Sequence, residues 1–289
     1  MRLAFSTNAY VRYPLEEAIQ SIARLGYDGV EILADRPHAF LDEEWDAGDH
    51  DNLKAVLSAH GLSVSNINAN TARGFFSPEK LDDPFEPSLS NPDKLLRRWR
   101  IDYTKRCIDL ASSLGSRSVS VTSGPDASVD RGVRMGLFME SLEEILEYSS
   151  GQGVFIGIEY EPGLLIGDAW KTFRVLDIFQ SPYLGVNLDI GHACVLGEDL
   201  GEVIHLFGSG ILNIHIEDIK DRRHFHLIPG LGDIDFDSFI RALKDIDYDH
   251  YLTVELYTYS EAPAEAAAEA LAFFRKRFPI LKGEGNENN

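Results

Sequence analysis

The chain has 289 residues, 44% apolar and 26% charged, the proportions of a globular protein with a sizeable core. Its 27 Lys and Arg against 47 Asp and Glu leave a formal charge of -20, which opposes non-specific binding to nucleic acid but not a small anionic substrate held by a local cationic patch. Cys107 and Cys194 lack CxxC spacing, so no disulfide framework or thiolate zinc site is expected; nor is there a signal-peptide pattern or an apolar run of about 18 residues, and the expectation is a cytoplasmic protein with no membrane partner.

Periodicity predicts strands alternating with helices. Strand Leu3–Ser6 precedes helix Pro14–Leu25, which opens on a favourable first-turn Pro and stops at Gly26. Strand Gly29–Leu33, helix Asp51–His60, strand Ser63–Ile67 and helix Pro92–Leu114 follow. Then come strand Ser118–Thr122, helix Arg131–Ser150 (ending at Gly151), strand Phe155–Glu159 and helix Ala169–Phe179. Strand Leu184–Leu188, helix Leu200–Phe207, strand Leu212–Ile216, helix Asp237–Asp245, strand Leu252–Leu256 and helix Ala264–Phe278 complete the series. Such alternation implies a parallel sheet with right-handed crossovers. Eight units in this length predict one α/β domain, a closed (β/α)8 TIM barrel over residues 1–282, with 283–289 as a flexible tail. The alternative, an open doubly wound sheet, lacks its Gly-rich turn after the first strand, where the chain reads FSTNAYVRYP.

Residues 71–93 interrupt the rhythm with no clear element. Loops of this length are often functional lids, and Arg73, Phe75 and Phe76 are its candidate closing residues; the competing reading packs the Phe residues on a neighbouring helix. Lys94, Arg97, Arg98 and Arg100 read as a solvated basic face, or alternatively as a subunit contact.

TIM-barrel chemistry gathers at the carboxyl ends of the strands. Strand five ends at Glu159 and strand six at Asp189, strand seven carries His215 and strand eight Glu255. Singly, each reads as a cap or a satisfied core residue. Together, on four successive strands, three carboxylates in a partly buried rim must take up protons or hold a cation. Their hard, mostly oxygen donor set suits Mn, Mg, Co or Zn. His192 follows Asp189 by three residues, and His224 and His226 lie two apart, so these three are candidates for a second metal or for substrate contact. Glu161, two residues past Glu159, is either a substrate-binding group, a proton carrier or an inert rim residue.

The strand-five IGIE, strand-six VNLDIGHA, strand-seven NIHIED with PGLGDIDF, and strand-eight VEL, together with the N-terminal STN and GYDGVEI, resemble the xylose-isomerase-like TIM-barrel superfamily across residues 1–280. The superfamily includes ketose 3-epimerases, sugar isomerases, dehydratases and a metal-dependent apurinic endonuclease. The resemblance implies that Glu159, Asp189, His215 and Glu255 bind one divalent metal, with Glu159 and Glu255 as the acid–base pair. It further implies substrate contacts from His192 and from Arg222 or Arg223. Where the endonuclease ends strands three and four in histidines, this chain has Asn68 and Thr122 or Ser123, which argues against a trinuclear site and leaves Asn68 to substrate. The implied reaction is epimerisation, isomerisation or dehydration of a sugar, sugar phosphate or polyol through an enediolate. A two-metal hydrolase or phosphatase-like enzyme and a non-catalytic metabolite-binding barrel are the alternatives, and self-association into a homo-oligomer stays open.

Overall fold

The computed structural model describes residues 1–41, 45, 47–75, 83–127 and 130–278. The proposed tail at 283–289 and the lid residue Phe76 lie outside them. Eight parallel strands close in chain order, β1 pairing with both β2 and β8. They are β1 (Arg2–Ser6), β2 (Gly29–Leu33), β3 (Ser63–Asn68), β4 (Ser118–Val121), β5 (Phe155–Ile158), β6 (Leu184–Asp189), β7 (Ile211–Ile216) and β8 (Tyr251–Val254). The described helices are α1 (Leu15–Leu25), α2 (Ala47–Ala59), α3 (Lys94–Leu114), α4 (Arg131–Gln152), α5 (Ala169–Phe179), α6 (Ile190–Leu196), α7 (Leu200–Phe207), α8 (Phe236–Asp245) and α9 (Pro263–Arg277). The closed (β/α)8 barrel expected from the alternation is the fold observed. Among the described residues, no helix is long and apolar enough to cross a membrane.

Local chemistry sets the element ends. Asp93, Asp168, Asp199 and Asp235 cap α3, α5, α7 and α8 through side-chain bonds to first-turn N–H groups. Helix α4 passes through Gly151, its expected stop, and ends at Gly153, which adopts φ +71° and returns its N–H to the last turn. Helix α6 was absent from the expected series. It is one short segment between its cap, Asp189, whose carboxylate accepts from the His192 N–H at 2.8 Å, and Gly197.

The barrel interior departs from the apolar filling usual in this architecture. Asn66, Ser118, Ser120, Asn187, Asn213 and Thr253 are buried. Asn66 donates to Ser120 and accepts from Ser118, Asn213 donates to Asn187, and Thr253 donates to Asn213. A satisfied network of this kind fixes side-chain orientations beneath the mouth of the barrel. The apolar core lies mainly outside the strands, where Phe5, Ile32, Ile67, Leu142, Ile158, Phe239 and Phe274 are buried.

The basic face expected on α3 is not formed. Arg100 is buried and donates to the backbone carbonyls of Ala69, Asn70 and Thr71, while Arg98 pairs with Asp102 and Glu144. Because α3 packs along the barrel, residues two apart on it face different surroundings. Arg100 thereby anchors the chain leaving β3.

Candidate metal and substrate site

Strand register brings the four candidate ligands together. Asp189 closes β6 and pairs with His215 on β7. Glu159 and Glu255 are the first residues beyond β5 and β8, and their N–H groups extend the ladder to Val121 O and Ile216 O. The His215 Nδ1 atom lies 3.2 Å from Glu159 Oε2, 3.6 Å from Glu255 Oε1 and 4.0 Å from Asp189 Oδ2. All four side chains are buried. Asp189 Oδ2 has no hydrogen-bond partner among the described residues, although it is buried. An orphan carboxylate oxygen facing an imidazole and two further carboxylates fits a cation, which would satisfy all of them at once.

The surroundings orient each ligand. Asn187 donates to Glu159, while Asn8 and Asn68 donate to Glu255 Oε1 at 2.7 and 3.3 Å. His215 Nε2 donates to Glu31 Oε2 at 2.6 Å, leaving Nδ1 directed at the acids. Glu31 is buried and also accepts from Asn66 at 2.9 Å and Asn68 at 3.2 Å. Glu31 was not among the residues expected at the site; its signal was a carboxylate inside the otherwise apolar GVEIL strand. Glu217 was missed too. It is buried beside Asp189, with neither carboxylate oxygen hydrogen-bonded among the described residues. A Cβ on Gly191 would fall 1.9 Å from Glu217 Oε1, so a side chain there would displace this carboxylate.

Electrostatics follow from these contacts. Burial opposes a charged His215, but Glu255, Glu31 and Glu159 outweigh it and hold the imidazole well above its usual pKa. Burial raises Glu255 well above the usual carboxylate range, against the pull of His215. Burial, and then the Asp189 charge, do the same to Glu217. Asp189 goes the other way: burial acts against its charge, yet His192, His226 and His215 lower its pKa. The cluster therefore stores positive charge among its acids, the charge that a divalent cation supplies on binding.

A cavity of about 400 Å³ opens above this cluster, within the size range of small-molecule sites. Glu159, Glu255, Glu161, His192, His224, His226, Asn68 and Tyr257 are among its lining residues. His192 Nδ1 donates to Tyr160 O and His226 Nδ1 to Glu255 O, both at 2.9 Å, so each ring presents Nε2. The His192 and His224 rings are 4.8 Å apart and those of His224 and His226 5.5 Å apart. Ligand atoms of these three histidines all lie within 4.8 Å of one another, forming a second group beside the first. Glu161 does not continue the strand, because β5 ends at Ile158 and the Glu161 N–H bonds to Ile166 O. Burial pushes its carboxyl up to about 7, with His192 opposing and Glu159 adding to the rise.

Arg222 and Arg223 are exposed and are not among the cavity's lining residues. Both belong to the loop after β7, and Arg222 packs over Gly197 at the end of α6. Phe75 packs on Trp99 of α3 with ring centroids 4.5 Å apart, following the packing alternative, whereas Arg73 lines the cavity.

A sequence profile of the xylose isomerase-like TIM barrel matches residues 19–277. The chain belongs to this family. It is 28% identical over 285 residues to fructoselysine 3-epimerase of Shigella flexneri, covering 96% of this chain and 99% of that protein. It is 22% identical over 265 residues to an L-ribulose-5-phosphate 3-epimerase of Escherichia coli O1:K1, covering 90% of this chain and 89% of the other. Among solved structures, a D-tagatose 3-epimerase-like protein superposes with a TM-score of 0.77 at 21% identity, covering 96% of this chain and 99% of that one. The IolI protein with a zinc atom bound superposes at 0.77 and 20% identity, covering 96% and 97%. The family thus pairs this barrel with relatives named as sugar epimerases, and the four-residue cluster lies at the strand ends where barrel chemistry is done.

Proposed function

We propose that this protein is a divalent-metal-dependent epimerase or isomerase acting on a ketose-type sugar. The observation that carries the reading is the convergence of Glu159, Asp189 and Glu255 on His215 Nδ1, with Asp189 Oδ2 buried and without a hydrogen-bond partner among the described residues. Similarity to 3-epimerases along almost the whole chain supports the reaction class. Mn, Mg, Co and Zn all suit the donors. When bound, such an ion supplies Lewis acidity to a carbonyl and its neighbouring hydroxyl.

The chain's own residues then perform the proton chemistry. Glu159, oriented by Asn187, and Glu255, oriented by Asn8 and Asn68, are the two proton carriers at the floor of the cavity. One removes the proton on the carbon beside the carbonyl and the other returns a proton to the opposite face. Return to the neighbouring carbon gives isomerisation instead. Asn68, Glu161 and His192, all on the cavity wall, bind substrate hydroxyls. The surrounding wall limits water access to the reacting carbon.

The histidine group supports a second reading, a two-metal hydrolase, because His226 Nε2 is buried beside His192 and His224 without a hydrogen-bond partner among the described residues. Metal stoichiometry and solvent-deuterium exchange into a panel of ketoses discriminate. One tight ion per chain with exchange at carbon 3 is the expected result. Two tight ions without exchange would favour the hydrolase, and one ion without exchange a metabolite-binding barrel.

A further inference from the structure

Each strand from β5 to β8 carries a second residue on the same face, two positions before its candidate ligand. Before Glu159, Asp189, His215 and Glu255 these are Gly157, Asn187, Asn213 and Thr253. The three polar ones are each at most 1% exposed, so bulk water does not reach them to replace a lost partner.

They are joined sideways, all in one sense. The Thr253 hydroxyl donates to Asn213 Oδ1 at 2.8 Å, Asn213 Nδ2 donates to Asn187 Oδ1 at 2.8 Å, and Asn187 Nδ2 donates to Glu159 Oε2. The series runs from β8 through β7 and β6 to the acid that follows β5, with Asn187 and Asn213 paired in the β6–β7 register. Gly157 leaves room for it: a Cβ there would come 3.3 Å from Asn187 Cβ, so a side chain on β5 would press on Asn187.

The carboxylate dictates the sense. It accepts and cannot donate, so Asn187 must turn Nδ2 toward Glu159 and Oδ1 away. That Oδ1 requires a donor, which fixes the Asn213 amide the same way round, and Asn213 Oδ1 in turn requires the Thr253 hydroxyl. The order hydroxyl, amide, carboxylate recurs under Glu31, where Ser118 donates to Asn66 Oδ1 at 2.8 Å and Asn66 Nδ2 donates to Glu31 Oε2 at 2.9 Å.

We infer that Asn213 and Thr253, neither of which lines the cavity, are positioning residues that act through Asn187 on the carboxylate of Glu159. They hold the Asn187 amide in the one orientation that presents a donor; turned over, it would set Oδ1 against the Glu159 oxygens. Losing either residue therefore loosens Glu159 as a cation ligand and as a proton carrier, roles that rest on the epimerase reading.

Two measurements on the full chain test this: calorimetric titration with Mn²⁺, and carbon-3 deuterium exchange of the panel ketose that the natural chain turns over fastest. Thr253→Val keeps the shape of the side chain and removes its hydroxyl, Thr253→Ser keeps the hydroxyl, and Asn213→Leu removes the amide at similar volume. The Kd for Mn²⁺ is expected to rise about tenfold in Asn213→Leu and about threefold in Thr253→Val, with Thr253→Ser close to the natural chain. At saturating Mn²⁺, kcat for exchange should fall by at least about the same factors while KM changes less. In an Asn187→Leu background, Asn213→Leu should cause no further loss, because it acts through that amide. Ser149→Ala removes a buried hydroxyl on α4 that donates to Leu146 O, and should leave Kd and kcat unchanged. Thermal melting checks folding, and the Thr253 pair decides if Asn213→Leu does not fold. Kd and kcat unmoved in Thr253→Val, equal losses in Thr253→Ser or Ser149→Ala, or additive losses in the Asn187→Leu background would overturn the relay. Mn²⁺ binding without exchange in the natural chain sinks the epimerase reading and leaves the relay to the Mn²⁺ affinities. Exchange in the natural chain with Thr253→Val unmoved sinks the relay alone, and a natural chain that binds no Mn²⁺ overturns both.

Discussion

Glu31 and His215 are 184 residues apart in the chain and 2.6 Å apart in the barrel. The contact fixes which nitrogen of His215 meets the other acids: with Nε2 donating to Glu31, Nδ1 is the atom left facing Glu159, Asp189 and Glu255. A carboxylate behind a ligating imidazole fixes ring orientation and raises ligand basicity, and losing such a partner typically weakens metal binding about 10- to 100-fold. Glu31→Gln should therefore raise the Kd for Mn²⁺ by that order in a calorimetric titration, and Glu31→Asp should recover part of the loss. An unchanged Kd in Glu31→Gln would remove Glu31 from metal positioning.

Glu255→Gln keeps the size of the side chain and removes its ability to carry a proton. Positioned general acid–base groups contribute about 10²- to 10⁴-fold. Exchange of the ketose carbon-3 proton, followed by NMR in deuterium oxide, should slow by that order while KM changes much less. A parallel rise in KM with kcat preserved would assign Glu255 to binding.

Glu161 gives a pH signature in chelator-treated protein. Burial pushes its carboxyl from 4.5 up to about 7. Between those values the native chain keeps a proton that the unfolded chain has released, so stability falls as pH rises through this window. The cost is absent below about pH 4.5 and fully present above about pH 7, reaching at most about 3 kcal/mol. Glu161→Gln lacks it. Denaturant unfolding should therefore show the variant gaining on the natural chain between pH 5 and pH 8, and a gap that narrows over this range would contradict the assigned cause.

Most of the barrel was legible because several units repeat one pattern, an amphipathic helix, a glycine, a polar residue and a short apolar strand, as in LGYDGVEI, HGLSVSNI, LGSRSVSV and GQGVFIGI, and that pattern responds to local chemistry. That Glu159, Asp189, His215 and Glu255 converge was legible because all four fall near the ends of successive strands. Glu31 was not, because the value of a carboxylate in a buried strand depends on what the closed sheet brings opposite it, here a residue on β7. Arg100 was misjudged within a run of like charges, where composition cannot tell the residue that turns toward the barrel from those that face water. Arg222 or Arg223 was assigned to substrate by the family resemblance alone, but both are exposed and neither is among the cavity's lining residues. Helix α6 escaped because seven residues are too few for a periodicity to emerge, although its Asp189 cap and Gly197 stop were both in view.

The most direct measurement is an anomalous difference map from crystals of the protein loaded with manganese, recorded at the manganese absorption edge. The account predicts one strong peak enclosed by Glu159, Asp189, Glu255 and the Nδ1 atom of His215. Manganese absent from that position, or bound solely among His192, His224 and His226, would contradict it.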